Sequence, residues 1–199
     1  SDVCSSDLQY VPRTMWAAVF LAIAGLALIA QIWKGLIFDT WGGLLPDGWY
    51  QQISLASMRQ VITQLPKEFN GQRVPIIIFT KGGGLWLEDM AEAGADVIGL
   101  DWTMSLFKAR QTLVQKNKAI ALQGNLDPLA LFANPAQISA QAQKILDDLY
   151  KAPPLKVGLH PLDGHIFNLG HGISQFTNPE SITVLAGSVI EHSQNLRKK

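Results

Sequence analysis

The feature that most constrains the fold is an alternation of short apolar runs with segments of helical periodicity, from residue 36 to the C-terminus. Continuous apolar runs predict strands at 36–38, 74–79, 97–100, 119–122 and 165–167. Helical spacing predicts helices over 53–65, near 86–91, over 104–115, and after the capping residues Asn134 and Asn178, each followed by proline. Strands that are apolar throughout are typical of a parallel sheet covered on both faces. The pattern therefore predicts an α/β fold, either an open doubly wound sheet or a barrel.

Composition excludes several classes of protein. The chain carries 16 basic and 16 acidic residues, and 48% of its residues are hydrophobic, so it is not intrinsically disordered. A pI of about 6.9 provides no basic face for nucleic acid, and no nucleic-acid partner is expected. Its single cysteine, Cys4, excludes an internal disulfide framework and any zinc or iron–sulfur site built from several cysteines. A reducing compartment, the cytoplasm, is consistent with this cysteine usage.

The N-terminal residues differ in character from the rest. Residues 1–8 read as the translation of a sequencing-library adapter and are excluded from fold reasoning. Residues 9–35 form an apolar segment of doubtful origin, in which 15–33 carry no charge between Arg13 and Lys34. A helix of that length spans roughly 28 Å, about the thickness of a bilayer core. The segment is either a membrane span, which is the less favoured interpretation, or a buried helix, or a foreign end.

Polar side chains follow every predicted strand. They are Asp39 and Thr40, Thr80 and Lys81, Asp101, Asn125 and Asp127, and Asn168 and His171. In both α/β architectures the carboxyl ends of parallel strands face the ligand crevice. Turns after strands also favour polar residues, so some of these side chains have a structural role. Because polar residues follow all five predicted strands, we expect a site at this edge of the sheet.

Single motifs are weaker evidence. The triplet Gly82–Gly84 after a strand does not match a phosphate-binding loop, so a tight turn is the better interpretation. The spacing of His160, His165 and His171 fits no metal-binding motif, and no metal site is expected. His171 lies between Gly170 and Gly172, which favours contact with a ligand over a place in the core. His192 is predicted to face solvent on the last helix.

Five ordered motifs carry a family resemblance. They are I-F-D-T-W-G-G at 37–43, F-T-K-G-G-G at 79–84, G-L-D-W-T at 99–103, L-Q-G-N-L-D-P at 122–128 and F-N-L-G-H-G-I at 167–173. Together they resemble the C-terminal part of the uroporphyrinogen decarboxylase family, over residues 36–199. Residues 9–35 show no such match.

The resemblance implies a (β/α)8 TIM barrel, of which the chain carries the last five βα units after its apolar N-terminal segment. It implies a carboxy-lyase of haem and tetrapyrrole biosynthesis, cytoplasmic and homodimeric when intact, that needs no cofactor. By position in the motifs, Thr40 and His171 correspond to substrate-binding residues and Phe38 to an aromatic residue of the pocket wall. The arginine-bearing segment, a pyrrole-binding aspartate and a tyrosine of the family belong to the first three units. No catalytic residue is therefore identified in this chain, and the chain alone is expected to be inactive.

Two alternatives remain open at this point. One is a membrane-anchored, non-catalytic α/β binding module in which residues 15–33 are native. The other is a corrinoid methyltransferase of the same superfamily, which typically carries a zinc-binding His/Cys set. The absence of any cysteine after Cys4 argues against the second alternative.

Overall fold

The alternation in the sequence produces a five-stranded parallel sheet. The computed structural model describes residues 35–199. Its strands are β1 Gly35–Asp39, β2 Glu68–Phe69, β3 Gln72–Arg73, β4 Ile76–Thr80, β5 Val97–Gly99, β6 Ala121–Leu126 and β7 His165–Leu169. β2 and β3 form a separate antiparallel hairpin, and the main sheet has the order β1-β4-β5-β6-β7 with parallel pairing throughout.

This strand order decides between the two α/β architectures. A doubly wound sheet reverses its strand order at a switch point. Here each strand of the main sheet lies beside the next one along the chain, with no reversal. Winding in one direction is the topology of a (β/α)8 barrel, and residues 35–199 form five consecutive units of it. The barrel prediction is confirmed, and the open doubly wound sheet is wrong.

The helices follow the strands as the periodicity predicts. They are α1 Ala56–Gln64, which continues a π-helical segment Tyr50–Leu55, and then α2 Leu87–Ala91, α3 Leu106–Gln115, α4 Pro135–Tyr150 and α5 Pro179–Leu196. Asn134 and Asn178 cap α4 and α5 by accepting hydrogen bonds from the backbone N–H groups of Gln137 and Glu180, both at 3.0 Å. Both predicted caps are confirmed. Such caps satisfy N–H groups that the first helical turn leaves without partners.

The two faces of the sheet have different surroundings. One face packs against the helices, and its side chains form the main core, including Ile37, Ile78, Ile98 and Leu122. The same core receives Met58 and Ile62 from α1, Met90 from α2, Leu113 from α3 and Leu149 from α4. The opposite face carries the alternate residues of each strand, since neighbouring side chains of a strand point to opposite sides.

Two details of the sheet differ from the sequence-based expectation. β6 does not end at Leu122, as predicted, but continues to Leu126, because Asn125 and Leu126 pair with Asn168 and Leu169 of β7. The ladder uses backbone groups, so polar side chains do not interrupt it. The β2–β3 hairpin was not predicted, although its turn residues Asn70 and Gly71 have φ values of 50° and 75°, as a type I′ turn requires.

A buried arginine joins α3 to the start of β7. Arg110 has no exposed surface, and its guanidinium donates to the carbonyl oxygens of Asp163 at 3.0 Å and Gly164 at 2.9 Å. Burial lowers the pKa of this side chain below its usual value. A buried cation must be hydrogen-bonded to be tolerated, so these contacts hold the turn before β7 against α3.

His192 does not face solvent freely as predicted. On α5, its ring contacts the carboxylate of Asp147 on α4 at 2.8 Å. α4 and α5 pack along each other, which brings these two side chains together across the helix pair. The helical pattern alone could not reveal this neighbour.

None of the helices between residues 35 and 199 is long and apolar enough to cross a membrane. The candidate span at 15–33 lies outside the described residues.

The Arg110 contacts predict a large stability effect. Arg110→Met is expected to lower the free energy of unfolding by about 1–3 kcal/mol, because the Asp163 carbonyl oxygen loses its donor in a dry environment and that of Gly164 keeps only the N–H of Leu122. Urea denaturation of the full chain measures this, with Lys108→Met as the control, since Lys108 is exposed on the same helix. A loss no greater than that of Lys108→Met would contradict the assigned role.

His165 predicts a pH dependence of stability. Burial lowers the pKa of His165 to about 4, and its Nε2–H donates to the carbonyl oxygen of Gly124 at 2.9 Å. The unfolded chain, with a histidine pKa of about 6.5, binds the proton more readily. Neutral His165 therefore stabilises the folded state fully above about pH 6.5, and this contribution is lost as the pH falls from 6.5 to 4.

We expect the urea midpoint to fall between pH 6.5 and 4 less steeply in His165→Gln than in the parent chain, because glutamine retains an N–H donor but does not titrate. Parallel pH profiles for the two proteins would contradict this.

Candidate functional site

A cavity of about 330 Å³ lies on the sheet face that does not pack against the helices. Its wall combines strand residues with the segment after β7: Leu36, Phe38, Phe79, Gly99, Leu100, Gln123, Asn168, Leu169, Gly170, His171 and Gly172. Most of these groups are apolar, and three offer polar side chains: Gln123, Asn168 and His171. An apolar pocket with a few polar groups is the usual form of a small-molecule site.

Two of the three predicted site residues meet in this cavity. The ring of Phe38 stacks on that of Phe79 at a centroid distance of 4.4 Å, since these residues are paired in register on β1 and β4. The His171 ring approaches the edge of Phe38, with centroids 6.1 Å apart. An aromatic wall and a hydrogen-bonding imidazole therefore face the same space, although they lie more than 130 residues apart in the chain.

Thr40 is placed differently. It is exposed in the turn after β1 and lies outside the set of residues that line the cavity. The turn is shaped by Asp39, whose carboxylate accepts hydrogen bonds from the N–H groups of Trp41 at 3.0 Å and Gly42 at 2.8 Å and from the hydroxyl of Ser54. Of the two polar residues predicted at this strand end, Asp39 therefore has a structural role, and Thr40 remains free at the surface.

The glycines beside His171 have unlike roles. A Cβ on Gly170 would lie 2.8–2.9 Å from atoms of Asp101 and Trp102, so the absence of a side chain there lets the segment pack against the loop after β5. The space around Gly172 is open, with no atom within 4 Å of an added Cβ. Only Gly172 fits the expectation that the glycines leave room for a ligand. Gly170 serves the packing that fixes the position of His171.

Asp101, another predicted strand-end candidate, is buried and bound by protein groups. Its carboxylate accepts hydrogen bonds from the backbone N–H of Gly82 and from the N–H and hydroxyl of Thr103, the N–H at 3.0 Å. The side chain of Asn125 donates to the Asp101 carbonyl oxygen at 2.8 Å. Asp101 and Asn125 therefore connect strand ends rather than face the cavity.

The triple glycine forms a tight turn, as its sequence context indicated. Gly82 has a φ of 74°, and a Cβ on Gly83 or Gly84 would meet Thr80 or Met104 at 2.8 Å. These close contacts require glycine at both positions. Between residues 35 and 199, no three His, Cys, Asp or Glu side chains are grouped so that they could hold a metal ion.

Sequence reasoning overlooked Gln123 and Phe79 as wall residues. Gln123 belongs to the L-Q-G-N-L-D-P motif, but the predicted strand stopped before it. Alternation along a strand extended to Leu126 would have placed Gln123 on the face opposite Leu122, away from the core. The sequence feature that could have identified Gln123 as a wall residue was therefore a polar residue inside an otherwise buried strand.

Comparison with known proteins identifies the family of this chain. A sequence model of the family described as Uroporphyrinogen decarboxylase (URO-D) matches residues 23–192, and so begins before residue 36, where the motif-based resemblance starts. The uroporphyrinogen decarboxylases of Paraburkholderia phytofirmans and Cupriavidus necator are 51% and 52% identical over 174 residues. Each alignment covers 85% of this chain, and the chain spans 44% and 45% of those two relatives.

A solved structure shares the fold. A methyltransferase from Methanosarcina mazei superposes with a TM-score of 0.59 at 17% sequence identity, over 79% of this chain and 42% of that one. Such low identity shows a common fold and carries no information on the reaction. The family match over most of the chain and the relatives at about half identity show that the chain belongs to the uroporphyrinogen decarboxylase family.

Proposed function

We propose that the intact protein converts uroporphyrinogen III to coproporphyrinogen III with release of four CO2, and that this chain supplies one wall of the substrate site. The observation that carries the proposal is the juxtaposition of Phe38 and His171 in one cavity, within a chain of this family. Both residues occupy the motif positions for which the family resemblance implies substrate contact.

The reaction explains why residues that position a substrate are found in this cavity. Each of four acetate side chains loses CO2 and gains a proton, which leaves a methyl group. A protonated pyrrole ring accepts the electron pair of the breaking C–C bond, so no metal or organic cofactor is required. The protein contributes positioning of the substrate and electrostatic stabilisation of the cationic ring.

Each described residue of the site has its own role in binding the substrate. Phe38 and Phe79 provide an apolar surface for the macrocycle. His171 binds a substrate carboxylate as a hydrogen-bond donor, and the exposed hydroxyl of Thr40 binds another at the rim. The groups that move the proton are assigned to other units of the barrel, and none is assigned to this chain.

A cytoplasmic homodimer is part of the proposal. Large apolar side chains are exposed beyond the carboxyl ends of the strands, among them Trp41, Leu44, Leu129, Phe132 and Phe176. Apolar surface of this kind is typical of an interface. A second copy of the intact protein is the partner that the family resemblance implies.

The first functional prediction compares the chain alone with a completed barrel. We expect no decarboxylation of uroporphyrinogen by the 199-residue chain, because it matches less than half of its relatives. A chimaera that joins residues 35–199 to the preceding segment of the Paraburkholderia phytofirmans relative is expected to form coproporphyrinogen, measured by chromatography after oxidation to porphyrin. An inactive but folded chimaera would contradict the proposed function, and turnover by the chain alone would contradict the assignment of the missing groups.

The second functional prediction concerns His171. In the chimaera, His171→Ala is expected to lower kcat/KM by about tenfold to hundredfold, through loss of a charge-assisted hydrogen bond to a carboxylate. His192→Ala removes a histidine that contacts Asp147 on the helix pair, and serves as the control. Equal kinetics for the two variants, or a loss of folding in His171→Ala, would count against the assignment of His171 to substrate binding.

A further inference from the structure

The connection between α4 and β7 is a long loop at one end of the barrel. It comprises residues 151–164 and contains no helix or strand. Connections of this kind usually have about two to six residues, and much longer ones in a compact domain commonly carry a function. Because the loop precedes β7, it lies at the amino ends of the strands, whereas His171 follows the carboxyl end of the same strand. The loop is therefore at the end of the barrel opposite to the proposed substrate contact.

The base of the loop is held by neighbouring helices. Arg110 of α3 donates to the carbonyl oxygen of Asp163, and Arg197 at the end of α5 donates to the Asp163 carboxylate at 2.8 Å. The same carboxylate accepts a hydrogen bond from the backbone N–H of His160 at 3.1 Å. Leu162 is buried in the main core. All of these anchors belong to the described residues, so the loop does not depend on further barrel units to be held in place.

The tip of the loop, residues 156–159, is a tight turn that exposes aliphatic side chains. The N–H of Leu159 donates to the carbonyl oxygen of Lys156 at 3.1 Å, and Gly158 has a φ of 86°, which glycine adopts without strain. The side chain of Val157 is fully exposed, and that of Leu159 is exposed as well. Aliphatic side chains held out in water contribute nothing to the core, so their position points to a partner that covers them.

Basic residues accompany the tip. Residues 151–164 and 197–199 together contain five lysines and arginines and a single acidic residue, Asp163, in a chain without net charge. Lys156, Lys198 and Lys199 are exposed, and none of them forms an ion pair with another described residue. The contact between Arg197 and Asp163 brings the end of α5 to the loop. The unpaired cations and the aliphatic tip therefore lie at the same end of the barrel.

This combination fits an anionic membrane surface better than a protein partner. A stable protein interface buries about 800 Å² on each side, far more than two aliphatic side chains provide, and lysine is depleted in such interfaces. A bilayer accepts single protruding aliphatic groups at the boundary between headgroups and acyl chains, and its anionic lipids attract nearby lysines. The long stem of lysine lets its ammonium group stay at the level of the headgroups.

We propose that the tip of the loop inserts Val157 and Leu159 into the surface of an anionic bilayer, while Lys156, Lys198 and Lys199 contact the lipid headgroups. This is peripheral binding and requires no membrane-spanning helix. The inference goes beyond the proposed function and does not rest on it. Because the tip and His171 lie at opposite ends of the strands, the proposed substrate site faces away from the membrane.

The test measures how the full 199-residue chain partitions onto vesicles that are sedimented by centrifugation. One set of vesicles is pure phosphatidylcholine, and the other mixes phosphatidylcholine with phosphatidylserine. The readout is the excess binding, defined as the partition coefficient on the mixed vesicles minus that on phosphatidylcholine. Residues 15–33 carry no charge and are the same in every variant, so binding through them does not distinguish the variants.

We expect Val157→Ser to lower the excess binding by about three- to tenfold, because one aliphatic group no longer enters the bilayer. Lys156→Gln is expected to lower it by about fivefold, the effect of one cation near an anionic surface. Leu85→Ser and Lys108→Gln are the matched controls, since both residues are exposed near the carboxyl ends of the strands, and both variants are expected to bind as the parent chain does. Equal urea midpoints show that the variants are folded.

Each other outcome overturns the inference. The first is that the unsubstituted chain shows no excess binding. The second is a loss in Lys156→Gln without a loss in Val157→Ser, which means adsorption by charge without insertion. The third is binding of soluble polyglutamate, weakened by Lys156→Gln, by a chain that does not bind vesicles, which assigns the loop to an acidic protein. A loss in both loop variants and in neither control supports the inference, and none of these results bears on decarboxylation by the chimaera.

Discussion

The buried carboxylate of Asp101 is the interaction on which the arrangement of the strand ends depends. It accepts hydrogen bonds from Gly82 after β4 and from Thr103 after β5, and the backbone carbonyl of Asp101 accepts one from Asn125 of β6. Gly170, beyond β7, packs against the same residue because it lacks a side chain. A carboxylate removed from water requires several donors, so the loops after β4 and β5 converge on it. β6 and the segment after β7 meet the backbone of the same residue.

The polar side chains at the strand ends are therefore of two kinds: some are hydrogen-bonded within the protein, and others are available to a ligand. Asp39 and Asp101 bind backbone N–H groups of their own loops, and Asn125 binds neighbouring carbonyl oxygens. The cavity is lined by a different set of polar side chains, Gln123, Asn168 and His171. Polar residues at a strand end therefore indicate a ligand site only if their side chains are not already hydrogen-bonded within the loops.

The barrel fold by itself does not decide the reaction. The Methanosarcina mazei methyltransferase shares it at 17% identity, whereas the Paraburkholderia phytofirmans decarboxylase is 51% identical to this chain. Chemistry on a common scaffold depends on the side chains at the strand ends. In this chain the side chains of the cavity include the stacked rings of Phe38 and Phe79 and the imidazole of His171.

The sequence by itself determined the local elements: the caps Asn134 and Asn178, the alternation of strands and helices, and the motifs that indicate the family. These depend on side chains within a few residues of one another. Only the tertiary structure decided the strand order, the burial of Arg110 under the turn before β7, and the contact between His192 and Asp147. It also decided that Phe38 and His171 share a cavity with Gln123, because register and packing join residues that are distant in the chain, and no local pattern encodes those distances.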